Sequence, residues 1–449
     1  MKIHPAALML MVWSICIAAF YVLPFQLQDR TMSLLGFAIL AAFIVAFCGG
    51  SLLAGRPRHF KRAPIPMKID FKLADRALMA GSTIALLALL LDVQGRDLLD
   101  LADAFQQRSD RAGALLAGQD SDSTIWFQIG FLTYPAGFIY MVRELTFQRK
   151  VRLGRLAVFG LGPIALVSLA MGGRAPLLYG LIVMAYAYSI RKYVLGDENG
   201  VISGRNKQRR KDRGVGATVK IAGGIAGAAA FIYFVTVFLA RADVVGGADG
   251  MFDIASLSWG VNFNGTFSNI FFGLFGSEGT YLIFVFAWYA VQGFVMSNYL
   301  FTNYDGPMLF GTYGIDLVSA LMRRVNGDFV ADRFYVLLKM NTYGFLPSAF
   351  GSLFVDLKFL GILVCLGWGW IAGRIYKHVR EGIDKRWLLA VPFVNLGIVF
   401  SVINTPIGFS NGLTTHAWLV LAMVLTKARR PAVRHRPDLS QAVQDPVTP

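Results

Sequence analysis

Cysteine, histidine and acidic side chains are all scarce in this chain: 3 Cys, 5 His, and 27 Asp plus Glu against 43 Lys plus Arg in 449 residues. Three cysteines exclude a disulfide scaffold, and Cys16, Cys48 and Cys365 each fall within an apolar run, where a thiol serves packing. No CxxC pair, HExxH helix, P-loop or Gly-rich nucleotide fingerprint is present, so neither a metal-centred nor a nucleotide-driven reaction has support. Beside about ten apolar runs of ~20 residues, little chain remains for a separate soluble domain.

What fills the chain instead is apolar: 55% hydrophobic residues and a mean hydropathy of +0.54. Runs such as Pro5 to Pro24 and Met32 to Leu53 approach the ~20 residues that cross a bilayer. Further runs cover Ala77 to Leu91, Thr124 to Met141, Leu156 to Ala170, Pro176 to Ile190, Ala217 to Ala240, Ser352 to Ile375, Trp387 to Val402 and Leu413 to Leu425. The expectation is an all-α polytopic membrane protein of about 10–12 transmembrane helices, with residues 1–426 forming one helical domain. The first run follows Lys2 and lacks a small-x-small cleavage site after Phe25, so it reads as a retained anchor.

The basic excess would point to nucleic acid in a soluble protein. Here about three quarters of the Lys and Arg residues lie in alternate loops: Arg56 to Arg76, Arg143 to Arg155, Arg191 to Lys220, Arg374 to Arg386, and the tail after Lys427. The positive-inside rule assigns those loops and both termini to the cytoplasm. No nucleic-acid partner is implied. The tail over 427–449, with Pro431, Pro437, Pro446 and Pro449, reads as a disordered cytoplasmic end.

One long polar loop, 241–351, then falls on the outer side. Within it Phe271 to Phe301 is apolar but interrupted by Gly and polar residues, with Trp288, Tyr289 and Tyr299 suited to an interface. Helices lying in or dipping into the outer leaflet are expected there. A single ordinary span would reverse everything downstream and put the Arg374 to Arg386 cluster outside, against the charge bias.

The outer side carries the candidate functional residues. Arg174, in "SLAMGGRAPLLYG", stands beside two glycines and just before Pro176, where a helix N-terminus and a guanidinium together suit a phosphate. Arg241 ends the seventh run with Asp243 two residues on; if the helix frays, a cation and a carboxylate face one site. Otherwise each arginine is a headgroup anchor. Farther along, Arg323, Arg324, Asp328, Asp332, Arg333, Tyr335, Lys339, Asn341 and Tyr343 form a mixture that fits sugar diphosphates: Arg for phosphate, Asp and Asn for hydroxyls, Tyr for the pyranose face. The bland reading is a solvated amphipathic helix. Asp356 sits at a membrane edge with Lys358 as a ready counter-charge, and His416 lies at the outer end of the last run, where a lone His is more often a packing residue than a base.

"GGRAPLLYGLIVMAYAYSIRK", then "FGTYGIDLVSAL", then "NTYGFLPSAFGSLFVDLKFLGILVCLGWGWIAGRIYKH" resembles the Wzy-type O-antigen or oligosaccharide repeat-unit polymerases. Asp356 is followed by Leu357 and Lys358, where the family often has Phe-Gly. The resemblance implies a bacterial inner-membrane glycosyltransferase, its bundle similar to the lipid-linked-sugar glycosyltransferases, with the 241–351 loop periplasmic. It would join repeat units carried on undecaprenyl diphosphate at the periplasmic face, in surface polysaccharide biosynthesis, needing no nucleotide sugar or other cofactor and no metal. A chain-length regulator and a flippase would be its partners.

On that reading Arg174, Arg241 and Arg333 bind diphosphate, Asp243 or Asp332 takes the acceptor proton, and Asn341, Tyr343 and Tyr335 hold sugar, with Arg323, Arg324, Asp356 and His416 as secondary candidates. The alternatives are an O-antigen ligase, where His416 would gain weight, and a transporter or flippase of lipid-linked sugars. The second expects charges along the bundle interior, which most of these runs lack.

Overall fold

The computed structural model describes residues 3–28, 32–55, 68–94, 124–148, 150–171, 173–197, 217–263, 265–325, 336–337, 339–340, 346–381, 384–408 and 411–429. In chain order the elements are α1 (Pro5–Val22), β1 (Phe25–Leu27), α2 (Leu34–Gly55), β2 (Lys68–Asp70), α3 (Lys72–Asp92), α4 (Ile125–Thr133), α5 (Ala136–Phe147) and α6 (Leu153–Ala170). There follow α7 (Ala175–Asp197), α8 (Ala217–Asp243), α9 (Gly247–Leu257), β3 (Val261–Phe263), α10 (Gly265–Asn303) and α11 (Asp316–Val325). The last elements are α12 (Ser348–Leu357), α13 (Leu360–Arg380), α14 (Lys385–Val402), α15 (Gly412–Leu425) and β4 (Lys427–Arg429). Eight helical segments among the described residues are long and apolar enough to cross a membrane; Ala175–Arg191, Ser348–Leu357 and Gly412–Leu425 are apolar but shorter. The chain is thus a multi-pass, all-α membrane protein.

Two small antiparallel ribbons mark opposite ends of the bundle. β1, in the turn from α1 to α2, pairs with β3; β2, just before α3, pairs with β4. The second ribbon shows that ordered structure runs through Arg429, three residues into the expected tail.

Several spans are broken where proline removes an N–H, and each break is answered from a distance. Pro135 separates α4 from α5, leaving the carbonyls of Phe131 and Leu132 without helical donors. Asn411 Nδ2 donates to the first and Trp418 Nε1, at 3.0 Å, to the second, so α15 closes the gap. Pro163 does the same in α6: the Phe159 carbonyl accepts from Ser82 Oγ of α3 at 2.8 Å, and residues 156–161 relax into π-helix. The run expected at Ser352 to Ile375 is likewise two helices, α12 and α13, parted at Lys358 with φ 50°.

α2 and α13 pack backbone to backbone over several turns. A Cβ added at Gly50 would lie 2.0 Å from the Leu366 carbonyl oxygen, one at Gly369 2.0 Å from that of Phe47, and one at Gly373 2.3 Å from that of Ser51. Only glycine lets two backbones approach so closely, and without a hydrophobic drive in lipid such contact is the main source of helix association. The order Phe47 to Ser51 against Gly369 to Gly373 makes the pair parallel, so both helices start at the β1–β3 end and finish at the other. The ring of His4, ahead of α1, meets Tyr376 edge-on at 4.8 Å, putting the start of α1 at that second end as well.

α10, expected as interfacial or re-entrant helices, is one of the eight segments long and apolar enough to cross, and it is not continuous. It breaks at Gly276, φ 67° and ψ −174°, a conformation that needs glycine. Phe271 before the break and Phe284 after it both pack on Phe263 of β3. Farther along, Asn298 exchanges two hydrogen bonds with Ser33, its Oδ1 accepting from the Ser33 N–H at 2.8 Å and its Nδ2 donating to the Ser33 carbonyl at 3.0 Å. Ser33 immediately precedes α2, so both halves of α10 contact the β1–β3 end.

Candidate functional site

The turn from α6 to α7 is built around Arg174. The Gly173 N–H donates to the Ser168 carbonyl at 2.9 Å, and the Arg174 carbonyl accepts the first helical bond of α7, from Leu178, at 3.1 Å. Pro176 lies in that first turn, where no N–H is needed. Tyr233 of α8 donates its hydroxyl to the Ser168 carbonyl at 3.0 Å and lies 3.4 Å from that of Gly173. The turn is therefore tied to α8 independently of the arginine.

The Arg174 guanidinium does not simply reach outward. Its central carbon lies 3.4 Å from the ring centroid of Phe238 on α8 and 5.8 Å from that of Tyr289 on α10, and an Nη atom stands 3.4 Å from the Tyr289 hydroxyl. A guanidinium stacked on an aromatic face gains ~0.5–2 kcal/mol, the more when desolvated, and its orientation is set. Phe238 is 6% exposed and itself meets the Tyr289 ring at 5.9 Å. Arg241 follows Phe238 by three residues on α8, and both guanidinium groups act electrostatically on Tyr233 and Tyr281. Three elements, the α6–α7 turn, α8 and α10, thus gather two cations and three tyrosines at the β1–β3 end.

Asp243 is not brought into this group. α8 stays helical through Asp243, so a two-residue separation turns it about 200° away from Arg241, and it is exposed. The fraying that would have aligned the two does not occur. The chain turns only afterwards, at Gly246 and Gly247, whose φ values of 93° and 84° suit glycine alone.

Asp356 has a different neighbourhood from the one expected. It is 4% exposed, and its carboxylate accepts the backbone N–H groups of Tyr313 at 3.0 Å and Gly314 at 2.9 Å, while its carbonyl accepts from Phe310 at 3.0 Å. Lys358 does not neutralise it. The ammonium instead donates to the Tyr304 carbonyl at 2.8 Å and lies 3.7 Å from the Tyr304 ring centroid. Asp356 is thus an anchor for the 310–314 turn.

His416 is half-buried in the first turns of α15, its Nδ1 2.7 Å from the Gly412 carbonyl. A carbonyl can only accept, so Nδ1 carries the proton and Nε2 is the acceptor nitrogen. Arg323 and Arg324 fall in the last turn of α11. Asp328, Asp332, Arg333, Tyr335, Asn341 and Tyr343 lie outside the described residues, and of their surroundings nothing follows.

Sequence reading missed the buried charge at the opposite end. Arg143 of α5, 8% exposed, donates to Asp75 of α3 and, at 2.8 Å, to Glu144, which is 2% exposed and also accepts the Arg152 N–H at 3.0 Å. Arg191 of α7 donates to the Leu145 carbonyl at 2.8 Å beside it. The adjacent Arg-Glu pair inside an otherwise apolar stretch was the available signal. Among the described residues no cluster of His, Cys, Asp and Glu has the make-up of a metal site. The chain matches no family model, no curated protein and no solved structure.

Proposed function

We propose that the chain is a membrane glycosyltransferase that joins oligosaccharide repeat units carried on undecaprenyl diphosphate, at the periplasmic face of a bacterial inner membrane. The observation that carries this reading is the pair of arginines, Arg174 held by Phe238 and Tyr289 with Arg241 one turn away, at the end of the bundle opposite most of the basic residues. Arg143, Arg152, Arg191, Arg374, Lys377, Arg380, Arg386 and Lys427 all lie toward the β2–β4 end, which the positive-inside rule makes cytoplasmic. Cations kept outside against that bias, with one fixed by aromatic stacking, are what a diphosphate leaving group requires.

In the reaction, an acceptor sugar hydroxyl attacks the anomeric carbon of the donor glycan. The bond from that carbon to the diphosphate oxygen breaks, the electron pair leaves with undecaprenyl diphosphate, and the hydroxyl proton passes to a carboxylate. Arg174 and Arg241 stabilise the charge that develops on the departing oxygen, with Arg333 on the second phosphate. The proton acceptor is Asp243 or Asp332, a role worth roughly 10²–10⁴ in rate; Asp243 would act from the side of α8 turned away from Arg241. Tyr335, Asn341 and Tyr343 contact the sugars. Asp356 is given the role of holding its turn.

A deletion strain complemented with Arg174→Ala or Arg241→Ala tests the assignment. Long polymer should vanish while single repeat units persist on the lipid or its acceptor. Normal chain-length ladders from both variants at normal protein levels would remove the arginines from the mechanism, and accumulation of lipid-linked polymer would point to a ligase instead. A cysteine placed at Val244, which is 39% exposed, should react with a membrane-impermeant thiol reagent added from outside.

A further inference from the structure

The amphipathic helix α11 has three faces where a helix at the surface of a soluble protein has two. At about 100° per residue, Val318, Ser319 and Met322 fall on one side; Ser319 is 7% exposed and Met322 packs on the core around Phe301 and Phe354. Asp316 and Ala320 occupy a second, exposed side. Leu317, Leu321 and Val325 form the third, and there Leu321 is 56% and Val325 81% exposed. That apolar stripe turns neither toward the core nor onto the polar side, and lies between them.

The stripe is not isolated. Phe310, 63% exposed with φ 50°, stands at the turn leading into α11, and its N–H donates to the Asp356 carbonyl. Close after Asp356 come Phe359, Leu360 and Leu363, which are 60%, 53% and 65% exposed on the flank of α13. α13 packs along α2, which is long and apolar enough to cross a membrane, and this exposed flank is apolar. The Phe310–Asp356 bond thus brings the exposed apolar start of α13 and the turn into α11 to the same end of the bundle.

We infer that α11 lies in the boundary layer of the membrane leaflet, its Leu317–Leu321–Val325 stripe against acyl chains and its Asp316–Ala320 side in water. The bonds from Tyr313 and Gly314 to Asp356 tie the start of this helix to α12, so the float and the bundle hold one fixed depth. A helix with one apolar face and one polar face lies in the interfacial plane for this reason. The inference rests on the multi-pass architecture and does not depend on the glycosyl-transfer reading.

Spin labels on Leu321→Cys, Val325→Cys and Ala320→Cys, in full-length protein reconstituted into phosphatidylethanolamine–phosphatidylglycerol vesicles, test it. The wild-type chain, with Cys16 and Cys365 buried and Cys48 half-buried, serves as the blank. Labels at 321 and 325 should collide with oxygen several-fold more readily than with an aqueous nickel chelate, and the label at 320 should show the reverse order. Chelate-dominated collisions at all three positions would overturn the inference. So would labels at 321 and 325 shielded from both reagents, since protein rather than lipid would then cover the stripe. All three positions are exposed, so none of the substitutions removes a packing contact, and the vesicle result can be read directly.

Discussion

Replacing Arg143 by Met should destabilise the protein more than any single change at the arginines of the opposite end. Its guanidinium lies between Asp75 and Glu144, and both arginine and glutamate are nearly enclosed. At an effective dielectric near 20 a charge pair ~4 Å apart is worth about 4 kcal/mol, and breaking a buried pair by removing one partner typically costs about 3–5 kcal/mol. Arg143→Met removes the cation bonded to both carboxylates, while Arg155 still acts electrostatically on Asp75 and Arg191 on Glu144, so the loss falls within that range. Glu144→Gln should cost less, about 2–3 kcal/mol. It keeps an acceptor for the Arg152 N–H and relieves the repulsion with Asp75, but weakens charge-assisted bonds to neutral ones. In the double variant the two losses should fall short of their sum by at least about 1 kcal/mol, because each single change already breaks the same contact. The fold supplies its own reporter, since Cys16 and Cys365 are free and buried and react with a thiol-activated dye only as the bundle opens. Unfolding midpoints from that dye in detergent complete the cycle. Additivity within about 0.5 kcal/mol, or a loss under about 1 kcal/mol for Arg143→Met, would refute the argument that this cluster clamps α3, α5 and α6 together.

Gly369→Ala should be strongly destabilising, by about 1–3 kcal/mol or more, because its Cβ meets a backbone oxygen that cannot move aside; Gly367→Ala, with nothing within 4 Å, should be neutral or slightly favourable, and the dye-monitored midpoints of the two variants decide it. Asp356→Asn gives up the charge-assisted bonds to Tyr313 and Gly314 and should speed proteolysis of the 304–314 segment, whereas Lys358→Met should do so less. His4 accepts the Ala6 N–H at 3.2 Å through Nδ1, and burial, helped by Arg380, pulls its pKa below the ordinary 6.5. The native state therefore prefers neutral His4. Its contribution is complete above pH 6.5 and is lost as the pH falls from there toward the lowered folded value; His4→Asn, which keeps the cap without titrating, should flatten that part of a stability–pH profile.

Hydropathy alone carried the reading of the apolar runs, since burial in lipid is a sum over local residues: the ten expected runs fall on helices, but eight segments among the described residues are long and apolar enough to cross, and one of those is Gly265–Asn303, expected as interfacial or re-entrant. That Gly and polar residues interrupt Phe271 to Phe301 was also legible, and the helix breaks there at Gly276. Arg174 was visible for the same local reason, a cation on the less basic side next to a helix-starting proline. Its stacking partners were not, because Phe238 and Tyr289 are 64 and 115 residues away in the chain, and no local pattern links them.

Composition and periodicity, then, were sufficient for a multi-pass α-helical bundle with most of its described basic residues toward one end, since both follow from the cost of placing each residue type in lipid or at its edge. Only the tertiary structure decided that the carbonyls freed at Pro135 are met by Asn411 and Trp418, that Asp243 turns away from Arg241, and that Asp356 holds a backbone turn while Lys358 bonds elsewhere. Those outcomes depend on helix phase and on partners remote in sequence, and such pairings are set when whole helices pack, not by any segment read alone.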